Sequence, residues 1–268
     1  DFLDQPREPR ALAAAEVDRA ALDPWQRANL REMRRTWVHD AAVPRELVAA
    51  LSRACSACEA RWRSARPASD FEAVAPLLDE VLRLVRLSAQ ARAEVLGVSR
   101  YEALVDEHEP GMRTAEIDRL FEALATRLPA LIDRAIEAQG RGPQPLAIVG
   151  PFPIELQHRL ARRLMAVLGF DEAYGRLDVS AHPFCGGNPD DVRITTRYDE
   201  ADFGSSLMAV LHETGYALYQ RGLPPSWRHQ PVGEPRSMGV HESQSLLVEM
   251  QACRSRAFVD YLAPILAE

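Results

Sequence analysis

The residues His212-Glu213-Thr214-Gly215-Tyr216 differ at one position from the zinc-binding motif His-Glu-x-x-His. In the intact motif, two histidines one helical turn apart bind a metal from the same face of a helix, and the glutamate activates the metal-bound water. Here Tyr216 stands in place of the second histidine. Residues four positions apart lie on the same helix face, so Tyr216 still points toward the position of the metal.

Tyrosine is a poor replacement for a histidine ligand. A neutral imidazole offers its lone pair directly, whereas a phenol with an ordinary pKa of about 10 must first lose a proton. A third ligand in such sites is often a glutamate on the following helix, and Glu242 has that placement. We therefore expect impaired metal binding, with Tyr216 hydrogen-bonded to Glu242 or to a water.

The composition is that of an ordinary globular protein. The chain has 268 residues, 47% of them hydrophobic, and a net charge of −7 with no lysine. An acidic surface does not attract nucleic acid or anionic lipid, so neither is an expected partner. Four cysteines, no recognisable signal peptide and no apolar run near 20 residues predict a cytoplasmic protein with free thiols.

The remaining elements are predicted from hydrophobic periodicity, capping residues and glycine positions. One strand is predicted over residues 192–198, where β-branched residues alternate, and the short apolar segment 146–149 is a second candidate strand. We expect one mainly α-helical domain over residues 1–268. The predicted helices cover 16–38, 44–65, 70–97, 114–139, 153–169, a motif helix capped by Asp199, and 237–268.

Several sequence blocks occur in the order found in one enzyme family. The blocks are Glu109-Pro110-Gly111, Gly175-Arg176-Leu177-Asp178, His182-Pro183-Phe184, Asp191-Val192-Arg193-Ile194-Thr195, Gly222-Leu223-Pro224 and His241-Glu242-Ser243-Gln244-Ser245. With these blocks and the motif above, the chain from about Leu22 to its end resembles the carboxypeptidase Taq family of zinc metallocarboxypeptidases.

The resemblance implies a mainly α, helical zincin-like architecture with a small β-sheet at the active-site cleft, and assembly as a homodimer. It also implies zinc, or sometimes cobalt, as the cofactor and removal of C-terminal residues from peptides as the reaction. By this resemblance His212 and Glu242 are metal ligands, Glu213 is the catalytic base, and Tyr216 occupies the place of the missing ligand. Arg193 is the best candidate in this chain to bind the substrate's free carboxylate, since an arginine fork suits that group. His182 is a second substrate-binding candidate, with a positioning role as its alternative.

Two functions stay open at this point. The first is a metallocarboxypeptidase whose site tolerates Tyr216, and the second is a catalytically inactive relative that binds a peptide or a partner. Later family motifs, Ile-Arg-x-x-Ala-Asp and Gln-Asp-x-His-Trp, do not occur in this sequence, so we expect it to correspond to the central part of a family chain. Cys185 is a further candidate, as a substitute soft ligand near the cleft.

Overall fold

The computed structural model describes residues 7–144, 146 and 148–268. Within this part of the chain the contacts between Cα atoms define two compact units. The first unit runs to Pro110 and includes Pro224–Arg236, and the second contains Gly111–Leu223 and Ser237–Glu268. The single domain expected over residues 1–268 stays a prediction. None of the described helices is both long and apolar enough to cross a lipid bilayer.

The first unit is helical in its described part. Asp23 begins the second helix there: its side chain accepts a hydrogen bond from the backbone N–H of Gln26, and Pro24 follows at the first helical position. The prediction of one continuous helix over 16–38 is therefore wrong, because the cap separates two helices. The helices are α1 Arg7–Val17, α2 Pro24–Ala41, α3 Arg45–Ala65, α4 Ala75–Leu96 and α5 Arg100–His108.

A buried carboxylate joins α2 to the later segment of this unit. Glu32 is only 3% exposed. Its oxygens accept hydrogen bonds from Nε of Arg31 at 3.1 Å, of Arg35 at 3.2 Å and of Arg236 at 2.8 Å. Burial alone would raise the pKa of Glu32, but the hydrogen bonds from Arg236 and Arg31 outweigh it and lower this pKa below its ordinary value.

We expect Glu32→Gln to destabilise the protein at pH 7 by about 1.5–3 kcal/mol, the contribution of a hydrogen bond to a charged group. A depressed folded-state pKa stabilises the fold above the unfolded-state pKa of about 4.3, and this contribution disappears as pH falls through the folded-state value. Urea unfolding at pH 7 and pH 3 measures this contribution. We expect the difference in free energy of unfolding between the variant and the wild type to be smaller at pH 3. An equal loss at both pH values would contradict the prediction. Glu80→Gln, which removes an exposed pair with Arg83, is the control and should have no measurable effect.

The second unit combines helices with a small sheet. Its described helices are α6 Thr114–Arg141, α7 Ile154–Leu168, α8 Phe203–Gly222, α9 Met238–Leu246 and α10 Arg256–Leu266. The strands are β1 Gly175–Val179, β2 Phe184–Asn188 and β3 Asp191–Thr196. This arrangement confirms the expected mainly α fold with a small β-sheet.

The sheet has β3 at its centre, with β1 parallel to it on one side and β2 antiparallel on the other. One face of β3 packs on the helices, because Val192 and Ile194 share a buried cluster with Val210 and Ala217 of α8. Ala161, Met165 and Phe170 complete that cluster. The helix that carries His212 and Glu213 is thus held directly against the sheet.

Several boundaries differ from the sequence predictions. Asp199 does not cap the motif helix; Asp202 does, by accepting a hydrogen bond from the backbone N–H of Ser205. The last predicted helix is not continuous, since residues 247–252 form a π-helical segment between α9 and α10. In the apolar segment 146–149, residues 146, 148 and 149 lie in no strand, and position 147 lies outside the described residues.

Candidate active site

Helix α8 carries the three motif side chains that could do chemistry. His212 and Tyr216 lie one turn apart, with their ring centroids 5.2 Å from each other and the rings edge to face. Glu213 is 7% exposed, and Cys185 of β2 is one of the groups with which it interacts electrostatically. The motif side chains therefore lie on the side of α8 that contacts the sheet and α9.

Helix α9 brings Glu242 to the same place. The phenol hydroxyl of Tyr216 donates a hydrogen bond to Oε2 of Glu242. The same oxygen lies 3.9 Å from Nε2 of His212. The expectation that Tyr216 bonds to Glu242 is confirmed, and His212, Tyr216 and Glu242 form one contiguous group.

Gly215 allows the two helices to come this close. A Cβ atom at this position would lie 2.7 Å from the backbone oxygen of Gln244 and 2.7 Å from Cα of Ser245. Ser245 is fully buried and donates its hydroxyl to the backbone oxygen of Glu242. The absence of a side chain at 215 therefore fixes where Glu242 stands relative to the motif.

Sequence reasoning missed Glu249. Its Oε2 lies 3.0 Å from Nδ1 of His212, and its Oε1 accepts a hydrogen bond of 2.5 Å from Arg254. Glu249 belongs to the π-helical segment 247–252, a rare conformation that often occurs at functional sites. One signal was available, because Glu249 follows Glu242 by seven residues and such residues share a helix face.

The electrostatic environment differs among these carboxylates. Burial raises the pKa of Glu213 to about 7; interaction with His212 lowers this pKa, and interaction with Glu242 raises it. Burial would also raise the pKa of Glu249, but hydrogen bonds from Arg254 and His212 outweigh burial and lower it. The carboxylate that supports His212 is therefore the more strongly held in its ionised form.

His241 lies beside the group without joining it. Its ring centroid is 4.4 Å from that of Tyr216 and 5.1 Å from that of Tyr219. Burial lowers the pKa of His241, and its Nε2 is buried with no hydrogen-bond partner in the described part of the chain. The ring therefore packs as a neutral aromatic group against Tyr216.

Arg193, one of the two predicted substrate-binding residues, lies away from the motif. Val192 and Ile194 face α8, so the alternation of a strand puts Arg193 on the opposite face of the sheet. Nε and Nη2 of Arg193 bind both carboxylate oxygens of Asp191, at 2.5 and 2.6 Å. His182 is exposed between β1 and β2. The structure does not bring Arg193 to the side of the sheet that meets the motif, and the substrate role of both residues stays a prediction.

Cys185 does face the motif helix, since it pairs with Ile194 in the sheet. Burial raises the pKa of its thiol to about 12, and the charge of Glu213 contributes further. Metals bind the thiolate rather than the thiol. Cys185 is therefore a poor substitute for the missing ligand.

The donor set can be compared with the needs of a catalytic zinc ion, which takes three protein ligands from imidazole, carboxylate or thiolate groups. His212 supplies one imidazole and Glu242 one carboxylate, while the hydroxyl of Tyr216 donates a hydrogen bond to that carboxylate. Among the residues that the structure describes, no group of three or more His, Cys, Asp or Glu side chains could hold a metal ion. These residues do not fit a catalytic zinc site.

Comparisons with known proteins establish the family. The model of the carboxypeptidase Taq (M32) metallopeptidase family matches residues 5–268. The chain therefore belongs to the carboxypeptidase Taq family.

Individual relatives agree with this assignment. Thermostable carboxypeptidase 1 of Thermus thermophilus is 39% identical over 248 residues, which are 88% of this chain and 48% of that protein. The protein of the same name from Pyrococcus furiosus is 33% identical over 92% of this chain and 50% of its own length. Metallocarboxypeptidase 1 of Trypanosoma cruzi superposes with a TM-score of 0.89 at 43% identity, covering 98% of this chain and 53% of that one. The chain thus spans about half the length of the relatives it matches.

Proposed function

We propose that this chain keeps the scaffold of a metallocarboxypeptidase but that its own metal-dependent removal of C-terminal amino acids is impaired. The hydrogen bond from Tyr216 to Glu242 is the observation behind this proposal. Tyr216 replaces one metal ligand of the family, and its hydroxyl binds the carboxylate of another. The family implies a divalent metal, zinc or cobalt, and peptide C-termini as substrates. In this chain, Glu213 has the position of the base and His212 and Glu242 those of two ligands, while Tyr216 replaces the second histidine ligand.

A hydrolysis assay tests this proposal. The purified chain is incubated with an N-blocked dipeptide that has a free C-terminus, with zinc and cobalt added in separate arms. We expect no release of the C-terminal residue above that of Glu213→Gln, which measures contaminating peptidases. Release by the wild type that is clearly faster than by Glu213→Gln would show that the site tolerates Tyr216 and would overturn the proposal.

The contact with Glu249 supports the proposal that His212 keeps the position of a metal ligand. A ligating histidine usually donates its other ring N–H to a carboxylate, which fixes the tautomer and orients the ring. The contact between Nδ1 of His212 and Glu249 has this form and leaves Nε2 on the side of Glu242. Glu249 is therefore a positioning residue for His212.

We expect Glu249→Gln to weaken zinc binding by about 10- to 100-fold when it is combined with Tyr216→His, the usual cost of losing such a partner. Competition titration against a chromophoric zinc chelator measures the zinc affinity of Tyr216→His and that of the double variant Tyr216→His/Glu249→Gln. Asp260→Asn on α10, which removes an exposed pair with Arg256, serves as the control and should leave the affinity unchanged. Equal zinc affinity with and without Glu249→Gln would contradict the positioning role.

A partner-binding role is the second candidate, and the surface of α6 favours it. This helix has no buried residue, and an apolar stripe with helical spacing lies along it. Its exposed large side chains are Leu120, Phe121, Leu124, Leu128, Leu131, Ile132 and Ile136. An apolar stripe of this length usually marks an interaction surface.

We propose that α6 contributes to a homodimer, in which the stripe would be covered. Light scattering after gel filtration should give twice the chain mass for wild type and the chain mass for Leu124→Glu combined with Leu131→Glu. Arg119→Glu combined with Thr126→Glu, on the polar side of α6, is the control and should remain dimeric. A monomeric wild type would contradict the proposal.

The cellular setting also remains a proposal. Cys55, Cys58, Cys185 and Cys253 are all free thiols, which fits a reducing, cytoplasmic environment. With a net charge of −7, we propose neither nucleic acid nor a membrane as a partner.

A further inference from the structure

The first unit contains a cleft of about 520 Å³ whose lining is strongly basic. We call it the arginine cleft, and its lining residues are Glu16, Arg19, Arg27, Arg31 and Arg34. Three of the arginines follow one another along α2 at spacings of four and three, which places them on one helix face. Glu16, near the end of α1, and Arg19, in the turn that follows, complete the lining.

Three of the four guanidinium groups have a partner among the described residues of the protein, and only two of these contacts are hydrogen bonds. Arg27 donates to the backbone oxygen of Leu22, and Arg31 donates through Nε to Glu32. Arg19 has an exposed ion pair with Glu16 at 3.9 Å, a contact that contributes little in water. Arg34 makes no hydrogen bond or ion pair with any residue that the structure describes.

The charge of the cleft is opposite to that of the protein. Four arginines and one glutamate line it, whereas the whole chain carries a net charge of −7. Like charges held together destabilise a fold unless a counter-charge compensates them. Arg27 and Arg31 have structural partners, and Arg19 has only the long, exposed pair with Glu16. Arg34 has no partner among the described residues. A bound anion would supply the missing counter-charge.

We propose that the arginine cleft binds a small anion with several phosphate groups, of the size of an inorganic tripolyphosphate or a nucleoside triphosphate. The guanidinium fork matches phosphate oxygens in pairs, and each group has five N–H donors. The cleft volume lies within the range of small-molecule sites, roughly 300–1,000 Å³. The acidity of the remaining surface opposes an extended nucleic acid. This inference is independent of the peptidase proposal, because it concerns different residues.

Isothermal titration of the full chain with sodium tripolyphosphate tests the proposal, at an ionic strength fixed near about 0.15 M so that charge screening stays constant. We expect one ligand per chain and at least about tenfold tighter binding than for orthophosphate, sulfate or the tricarboxylate citrate. Adenosine triphosphate in a further arm distinguishes a nucleotide from inorganic polyphosphate. Tighter binding of the nucleotide would assign the cleft to nucleoside triphosphates, and equal binding to the polyphosphate group alone.

Variants locate the ligand. Arg34→Gln and Arg19→Gln should each weaken tripolyphosphate about tenfold, because each removes a charge-assisted contact. Arg53→Gln on α3, an exposed arginine away from the cleft lining, should leave the affinity unchanged. Thermal unfolding should be the same for all three variants and the wild type, which excludes misfolding as the cause.

Three results would overturn the proposal. Tripolyphosphate that binds no tighter than orthophosphate or sulfate would mean a non-specific basic patch with an adventitious ion only. Citrate of equal affinity would refute the assignment to phosphate. An affinity that Arg34→Gln leaves unchanged, or that Arg53→Gln lowers as much, would place the ligand elsewhere.

Discussion

Replacing Tyr216 with histidine is expected to give a protein that binds about one zinc ion per chain, with a dissociation constant on the order of nanomolar. The new imidazole would stand one helical turn from His212, on the face where Glu242 already lies. The substitution also removes the hydroxyl that donates to Glu242, so that carboxylate is released. Glu249 already holds His212 through Nδ1. Zinc titration by calorimetry measures the gain.

Tyr216→Phe separates the two effects of that substitution. It removes the hydrogen bond to Glu242 but adds no ligand, so we expect it to bind zinc no better than the wild type. Zinc binding by Tyr216→Phe as tight as by Tyr216→His would mean that the hydroxyl blocks an otherwise sufficient site. Failure of Tyr216→His to gain zinc would mean that the positions of His212 and Glu242 do not suit a metal.

The second large effect is expected at Gly215, where α8 and α9 touch. In Gly215→Ala the new Cβ would lie 2.7 Å from two backbone atoms of α9, and backbone cannot move aside as a flexible side chain can. Overpacking of this kind costs about 1–3 kcal/mol or more, while alanine returns up to about 1 kcal/mol of helix propensity. We expect a net destabilisation of about 2 kcal/mol, measured by urea unfolding monitored by circular dichroism.

Gly222→Ala is the matched control on the same helix. A Cβ atom at Gly222 would meet nothing within 4 Å, so this substitution should leave stability unchanged or raise it slightly. Equal effects of the two substitutions would mean that Gly215 is not required for the approach of α9. A free energy of unfolding for Gly215→Ala equal to that of the wild type would contradict the packing argument.

The sequence predicted the parts of the site that depend on helix period. His212 and Tyr216 share a helix face because they are four residues apart, and Glu242 lies on the next helix, as expected. Glu242 was one of the two hydrogen-bond partners predicted for Tyr216, the other being a water. The central strand was predicted as well, since β-branched residues alternate from Val192 to Thr196.

Other parts depend on geometry that hydrophobic period does not encode. The π-helical segment interrupts an amphipathic pattern without proline or glycine, so residues 247–252 read as ordinary helix and Glu249 went unnoticed. The strands β1 and β2 are short and contain glycines, one of which, Gly187, has a φ of +104°. Arg193 looked free to bind a carboxylate, but Asp191 two residues earlier holds it on the same sheet face.

We expect that Tyr216 prevents tight metal binding at the site formed by His212 and Glu242. The most direct test is the zinc content of the wild-type chain after incubation with excess zinc and removal of unbound metal by gel filtration. We expect below about 0.1 zinc per chain, because two family ligands and a phenol do not make a three-ligand site. A value near one zinc per chain, lost on Glu242→Ala, would show instead that the site binds metal despite Tyr216.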